Sequence, residues 1–265
     1  MPTQLDRRPW PRLGRREFSI SVVLPAYNEE ALIEDTVRHV ADVLRRLVRD
    51  FEIVVTNDGS RDRTGDILAH LQSTEPALHL RAVTHRTNHG YGAALASGFD
   101  AATADLILLL DADGQFDVAE VVHLLAWMDD DTDLVIGYRA WRADPPLRLL
   151  NAWGWKHLVN ALFGYTARDV DCAFKLFRRE VWECMSVDSH GASFSAEFLI
   201  KARRLGFRVK ELPVSHFPRT AGSPTGAHPR VIVRAFLELF RLRFRLNGEL
   251  DHVPHRVRER APSAA

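Results

Sequence analysis

The sequence predicts an α/β protein built on a mainly parallel central sheet flanked by helices. Three observations carry that reading. Short aliphatic runs of strand length recur along the first half of the chain. Segments with a helical apolar stripe lie between them. Each run also stops abruptly at a polar or glycine-containing cluster. Strands alternating with helices imply crossover connections and a sheet covered on both faces. Ligands of such sheets bind beyond the carboxyl ends of the strands.

The elements follow in order. Phe18 to Leu24 (FSISVVL) is a β-branched run ending at Pro25, which reads as a buried strand. Asn28 is expected to cap the next helix, with Glu29 and Glu30 in its first turn. Ile33, Val37, Val40, Leu44 and Leu47 give that helix one apolar stripe. Phe51 to Val55 is a second strand, broken by Asn57-Asp58-Gly59-Ser60. A short helix carrying Ile67, Leu68 and Leu71 follows, then a third strand at Leu78 to Val83. Asn88 to Thr103 is Ala-rich and reads as helix after Gly90 and Gly92. Leu106 to Leu110 (LILLL) is a continuous apolar strand stopped by Asp111-Ala112-Asp113-Gly114. Val118 to Met128 is helical, and Leu134 to Ile136 reads as strand. The polar clusters Tyr27-Asn28-Glu29, Asn57-Asp58, Asp111 to Asp113 and Tyr138-Arg139 all follow strands, so they converge on one rim.

The 265 residues carry 35 basic and 35 acidic side chains, a balance that argues against a generic nucleic-acid binder. The zero hides an uneven distribution. Asp100 to Asp133 holds ten acidic residues and no Lys or Arg, whereas Lys201 to Ala265 holds fourteen basic and five acidic ones. An acidic middle suits metal ions; a basic end suits phosphates or an anionic membrane. Two cysteines, Cys172 and Cys184, make neither a thiolate zinc site nor a disulfide scaffold, which fits a reducing compartment. No stretch reaches the length needed to span a bilayer, and residues 1–17 lack an apolar signal core. The expected organisation is a basic tail at 1–17, one catalytic domain at 18–228, an amphipathic helix at 229–250 and a polar tail at 251–265, in a cytoplasmic or peripheral membrane location.

Asp111-Ala112-Asp113-Gly114-Gln115 is the most informative stretch. Two carboxylates two residues apart, just past a buried strand, can both reach one cation, and Gln115 adds a neutral oxygen. Such hard ligands suit Mg²⁺ or Mn²⁺, which in turn bind diphosphates. Asp58 stands in a tight turn where it could accept hydrogen bonds from a nucleobase. Asn88-His89-Gly90-Tyr91-Gly92 is rich in glycine but lacks the spacing of known phosphate-loop fingerprints, and close helix packing explains its glycines equally well.

Taken in order, VVLPAYNEE (Val22 to Glu30), VVTNDGSRDRT (Val54 to Thr64), DADGQF (Asp111 to Phe116) and VIGYR (Val135 to Arg139) resemble glycosyltransferase family 2, which has the GT-A fold. With VDCAFKLFRRE at Val170 to Glu180, the chain looks most like the dolichyl- or polyprenyl-phosphate sugar synthase branch. The resemblance runs from about Ser19 to Arg230. It implies that Pro25, Tyr27 and Glu29 line the nucleotide pocket, with Asp58 at the base. Asp111 and Ala112 would lie along the nucleotide sugar, while Asp113 and Gln115, with Asp111 beside them, hold the metal on its diphosphate. Arg139 would meet phosphate charge, Arg148 would bind the acceptor phosphate, and Arg219 would close over the diphosphate. Asp113, Arg139 and Arg219 are then the catalytic set. Two departures stand out: Asn57 replaces the first Asp of the usual DDGS, and the loop after Arg219 has no Lys.

The implied activity is inverting, metal-dependent transfer of a hexose from a GDP-mannose- or UDP-glucose-type donor to a polyprenyl or dolichyl phosphate. A phosphate acceptor is already anionic, so orientation and charge stabilisation suffice. A hydroxyl acceptor would need a base, with Asp171 or Glu197 as candidates. An inactive glycosyltransferase-like scaffold is opposed by the intact Asp111, Asp113 and Arg139; a nucleotidyltransferase is opposed by Leu24-Pro25-Ala26-Tyr27, which is not a glycine-rich basic loop. Val231 to Leu246, with Arg234, Glu238, Arg241 and Arg245 at helical spacing, suggests a helix that lies on a membrane surface, packs against the catalytic domain or forms a dimer contact; the expected partners include a membrane surface and a membrane protein.

Overall fold

A computed structural model describes residues 18–140, 146–218 and 229–249 of the chain, without the side chains of 146–151, 229–235 and 247–249. The strands predicted in the first half are present: β1 (Ile20–Ala26), β2 (Phe51–Asn57), β3 (Leu80–Thr84), β4 (Leu106–Leu110) and β5 (Leu134–Arg139). Between them run α1 (Ile33–Leu47), α2 (Thr64–Thr74), α3 (Tyr91–Ala101) and α4 (Val121–Ala126). The second half adds α5 (Pro146–Phe163), β6 (Phe174–Arg178), α6 (Arg179–Glu183), α7 (Phe194–Arg204), β7 (Val209–Val214) and α8 (Pro229–Glu249).

The sheet order among the described residues is β3-β2-β1-β4-β6-β5-β7. Every pairing is parallel except those of β6, which runs antiparallel to both β4 and β5. Alternate strand residues feed two cores, which is why LILLL is apolar without interruption. Leu106, Leu108 and Leu110 pack with α1, α2 and α4, whereas Ile107 and Leu109 pack with α3, α7 and α8. Each such side chain contributes about 1.5–3 kcal/mol by leaving water.

Asn28 does not cap α1, which starts at Ile33 and has no side-chain cap. It adopts φ 57° instead, a left-handed conformation that Asn tolerates. From there its side-chain oxygen accepts the Arg61 N–H at 2.8 Å. The helix α8 also refines the sequence pattern. Its buried face is Leu239, Leu242 and Leu246, reinforced by Glu238 to Ser193 and by Arg245 to Asp188 at 2.6 Å. The polar positions Glu238 and Arg245 therefore bond to the domain, and Leu237, Phe240 and Phe244 are exposed.

Candidate active site

Carboxyl ends of β1, β2, β4 and β5 bring Pro25, Tyr27, Glu29, Asp58, Asp111, Ala112, Asp113 and Arg139 to one rim, as the sheet order requires. The first two loops are knitted together. Asn28 N–H donates to Ser60 Oγ at 3.0 Å, Glu29 N–H to Thr64 Oγ1 at 2.9 Å, and Arg63 N–H to Glu30 Oε2 at 2.9 Å. Pro25, Tyr27 and Glu29 remain half-buried on this frame.

Asp58 differs from the expectation that it meets a nucleobase. Only 3% exposed, it turns inward and accepts the backbone N–H groups of His89 and Gly90, each at 2.9 Å. His85 Nδ1 lies 2.7 Å from the same carboxylate, and His85 Nε2 reaches Ser97 Oγ at 2.8 Å. Both oxygens are thus committed to the loop that starts α3. The glycines of that loop answer to packing. Gly90 has φ 100°, and a Cβ there would lie 2.7 Å from the His190 carbonyl oxygen; at Gly92 a Cβ would lie 2.5 Å from the Ser189 carbonyl oxygen. The His190 carbonyl instead accepts the Gly92 N–H at 2.9 Å.

Tyr91, the first residue of α3, donates its hydroxyl to Asp111 Oδ1 at 2.9 Å. Burial, and then the neighbouring charge of Asp113, raise the Asp111 carboxyl to about 7, although the Tyr91 hydroxyl, Lys175 and Arg139 pull the other way. Asp113 Oδ1 accepts the Gln115 N–H at 3.1 Å. Gln115 Nε2 donates to the Phe217 carbonyl at 3.0 Å, so of its two polar side-chain atoms the carboxamide oxygen is the one that could meet a cation. The Phe217 N–H returns to the Gln115 carbonyl at 2.9 Å, so the segment after β7 fixes the turn. His216 arrives by the same route and packs edge-on against Phe116, centroids 5.4 Å apart.

This turn fits a hard divalent cation. Two crowded carboxylates and one amide oxygen form an all-oxygen donor set, and the raised Asp111 records a negative charge that a cation would relieve. Among the described residues no cluster of three or more His, Cys, Asp or Glu could hold an ion. Remaining ligand positions would therefore come from a diphosphate and water, the usual arrangement for Mg²⁺.

Arg139 sits at the end of β5 with its guanidinium already engaged. Nε and Nη2 meet the Asp169 carboxylate at 2.7 and 2.8 Å, and the Arg139 backbone N–H adds a third bond at 3.2 Å. The side chain of Arg148 on α5, and Arg219 with its loop, lie outside the described residues. Glu197 is 0% exposed, accepting the N–H groups of Asp188 and Ser189 at 3.1 and 3.0 Å and facing Lys201 Nζ at 3.0 Å. Such a carboxylate holds the fold and has no path to a substrate hydroxyl. Asp171, the other candidate base, is exposed. Sequence reading gave no role to Lys175, buried at 1% on β6, with Nζ donating to the Cys172 carbonyl. The unusual signal was a Lys inside the apolar run Phe174-Lys175-Leu176-Phe177.

The sheet order and the helices on its two faces define a GT-A fold. The family model for glycosyl transferase family 2 matches residues 21–185, and the chain belongs to that family. An undecaprenyl-phosphate 4-deoxy-4-formamido-L-arabinose transferase of an Enterobacter species is 30% identical over 80% of this chain and 64% of its own length. A dolichyl-phosphate beta-glucosyltransferase of Trichomonas vaginalis is 33% identical over 80% of this chain and 70% of its own length. The chain thus spans about two thirds of these relatives. Among solved structures, the UDP complex of glucosyl-3-phosphoglycerate synthase from Mycobacterium tuberculosis aligns with a TM-score of 0.65 at 21% identity, covering 86% of this chain and 80% of that one. A mannosyltransferase from Pyrobaculum calidifontis, bound to GDP-Man and Mn²⁺, aligns at 0.62 and 19% identity over 89% of this chain and 68% of that one.

Proposed function

We propose that the protein transfers a hexose from a nucleotide-diphosphate sugar of the GDP-mannose or UDP-glucose type to a polyprenyl or dolichyl phosphate, with inversion. The observation that carries this is the turn from Asp111 to Gln115, whose carboxylates and amide offer an all-oxygen donor set at the end of β4, beside a second, cationic cleft at the end of β5. Relatives named as undecaprenyl- and dolichyl-phosphate transferases support the acceptor class. Asp113 and Gln115, with Asp111, would hold Mg²⁺ or Mn²⁺, which when bound neutralises the leaving diphosphate. Asp111 and Ala112 would border the sugar and Arg219 the diphosphate, with Arg148 reaching the acceptor. An acceptor phosphate oxygen forms the bond to C1 as the C1–O bond to the diphosphate breaks. That electron pair leaves with the nucleoside diphosphate, and no proton has to be removed from the acceptor.

The outer face of α8 supports a membrane-surface setting. Leu237, Phe240 and Phe244 are exposed at i, i+3 and i+7, Phe244 by 79%. By helical spacing Arg241 and Arg243 border this stripe, the pattern of a helix lying on anionic lipid. Trp155 packs edge-on against Phe236 at 5.6 Å, which joins α5 to the same surface. Among the described residues no helix is long and apolar enough to cross a membrane. A peripheral place on the cytoplasmic membrane face follows as part of the proposal.

The test incubates the protein with labelled nucleotide sugars, polyprenyl phosphate and Mg²⁺ or Mn²⁺, then extracts with organic solvent. Label is expected in the organic phase and lost with a chelator. Label found only on a water-soluble hydroxyl compound would favour the second reading, for which exposed Asp171 supplies the base.

A further inference from the structure

We infer that α8 is a strut for the acidic turn beyond β4: Glu238 and Arg245 hold the 188–193 loop, which caps α3 and so keeps Tyr91 on Asp111. Both are positioning residues that act through other groups. The inference rests on the proposed function, in which Asp111 stands beside the cation.

A helix leaves its first N–H groups without partners inside the helix. Helix α3 begins at Tyr91, and its N-cap residue is Gly90, which has no side chain to cap it. The cap comes from another part of the chain. The His190 carbonyl accepts the Gly92 N–H at 2.9 Å and the Ala93 N–H at 3.3 Å. Gly90 and Gly92 permit that approach, since a Cβ at either would collide with the backbone of residues 189–190. Tyr91 lies in the turn so capped and donates its hydroxyl to Asp111 Oδ1 at 2.9 Å. That bond leaves Oδ2 for a cation. The place of the 188–193 loop therefore sets the direction of Tyr91, and Tyr91 sets that of Asp111.

The loop runs between α6 and α7 without a helix or strand of its own, and it is held from two sides. On α7, Glu197 accepts the Asp188 and Ser189 N–H groups at 3.1 and 3.0 Å and the Ser189 hydroxyl at 2.5 Å. On α8, Arg245 Nη1 meets Asp188 Oδ2 at 2.6 Å, and its Nη2 comes within 3.7 Å of Glu197 Oε1. The Ser193 hydroxyl donates to Glu238. Glu238 and Arg245 stand about two turns apart on one helix, so they grip the two ends of the loop. The apolar seam of α8 is made by Leu239, Leu242 and Leu246, without either of them. An exposed pair such as Arg245 with Asp188 adds little to stability, so its loss should displace the loop more than it weakens the fold.

The experiment measures Mn²⁺ binding to the full chain by electron paramagnetic resonance, with UDP or GDP present and no vesicles. It compares wild type with Tyr91→Phe, Arg245→Met, Arg245→Lys, Ser193→Ala and the Tyr91→Phe/Arg245→Met double variant. Tyr91→Phe is expected to weaken Mn²⁺ binding about tenfold, as loss of one charge-assisted hydrogen bond does. Arg245→Met and Ser193→Ala should each weaken it about threefold with thermal midpoints near wild type, and Arg245→Lys should recover most of the loss. The double variant should bind no more weakly than Tyr91→Phe, because both changes act through one group. Losses that multiply in the double variant, or unchanged or tighter binding in Tyr91→Phe, overturn the route through Tyr91 and with it the inference. Wild-type affinity in both Arg245→Met and Ser193→Ala overturns the strut and leaves the proposed function standing. So does a loss that follows a lowered midpoint in every variant, which makes the loop frame alone. A wild-type chain that binds no Mn²⁺ overturns both.

Discussion

Between β1 and β4 the rim is held by the chain's own hydrogen bonds, whereas beyond β5 it is lined by cations and aromatic rings that stand near solvent. On the first side, loops up to 35 residues apart exchange backbone-to-side-chain bonds, and Asp58 braces the start of α3. On the second, Lys156, Arg168 and Trp153 border an open cleft and α8 presents an apolar stripe. A nucleotide donor presents the same diphosphate each turnover, and a preorganised frame stabilises developing charge without reorganising. A long lipid needs an approach along a surface. On the proposed function, the difference gives rigidity to the donor side and access to the acceptor side.

The largest effect should fall on the donor side. Replacing Asp113 with Ala removes one of two carboxylates from the proposed cation site and leaves the sheet untouched. Loss of one such electrostatic stabiliser costs about 10²–10³ in kcat. Transfer measured across a metal titration should fall at least that far, with an unchanged circular dichroism spectrum. Unaltered turnover would remove the metal from the proposed function and erase the contrast between the two sides.

Glu197 comes next, because it tests whether the region behind the cleft is frame or chemistry. Glu197→Gln should destabilise the protein by about 3 kcal/mol, since it leaves Lys201 beside a neutral amide in a buried network. Burial alone would raise this carboxyl, but bonds from Ser189 and Lys201 prevail and hold it below the ordinary range. A depressed folded value gives stability that is present above the unfolded carboxylate value of ~4.3 and fades as pH falls through the folded one. Denaturation of wild type and variant should therefore differ most near neutrality and converge in acid. A drop in kcat with unchanged stability would instead make Glu197 the base of a hydroxyl-acceptor enzyme.

What the sequence made legible divides along the same line. Strands β1 to β5 and their polar ends were readable because each parallel strand is a local apolar run with a local stop. Strand β6 was not, since Lys175 breaks its apolar pattern and its antiparallel insertion between β4 and β5 depends on partners 39 to 72 residues earlier in the chain. Asp111, Asp113 and Gln115 could be read together because one turn carries all three. The inward turn of Asp58 could not, because its partners come from residues 85–90. Arg139 shows the same limit: its residue type suits phosphate, but its Asp169 partner lies 30 residues away. Spacing shows which groups reach a rim, and only packing shows which are already engaged.

Asp58 offers a smaller, sharper test of that distinction. In Asp58→Asn, whichever side the amide nitrogen takes, it meets N–H donors of the His89–Gly90 loop or the His85 ring. The expected loss is about 2 kcal/mol of stability, read by urea denaturation, as buried acceptors lose charge-assisted bonds. Loosening this loop should raise donor KM only as far as the α3 start moves. A large rise in donor KM at unchanged stability would return Asp58 to the nucleobase and make this part of the donor frame a ligand site.

The least costly change for the fold should separate the two sides most cleanly. Phe240 and Phe244 face away from the buried Leu239, Leu242 and Leu246, so Phe240→Ser with Phe244→Ser leaves the α8 contact with the domain in place. Stability should shift by no more than about 0.5 kcal/mol, as for surface positions generally. Co-sedimentation with anionic vesicles should nevertheless fall, since two exposed rings no longer enter the lipid interface. Transfer to a short, water-soluble polyprenyl phosphate should stay near wild type, while transfer to a long acceptor in vesicles should drop. If both acceptors suffer equally, α8 acts through the catalytic domain and the acceptor side is as much frame as the donor side. If vesicle binding persists unchanged, the approach surface lies elsewhere, and the exposed Trp153 on α5 becomes the next position to replace.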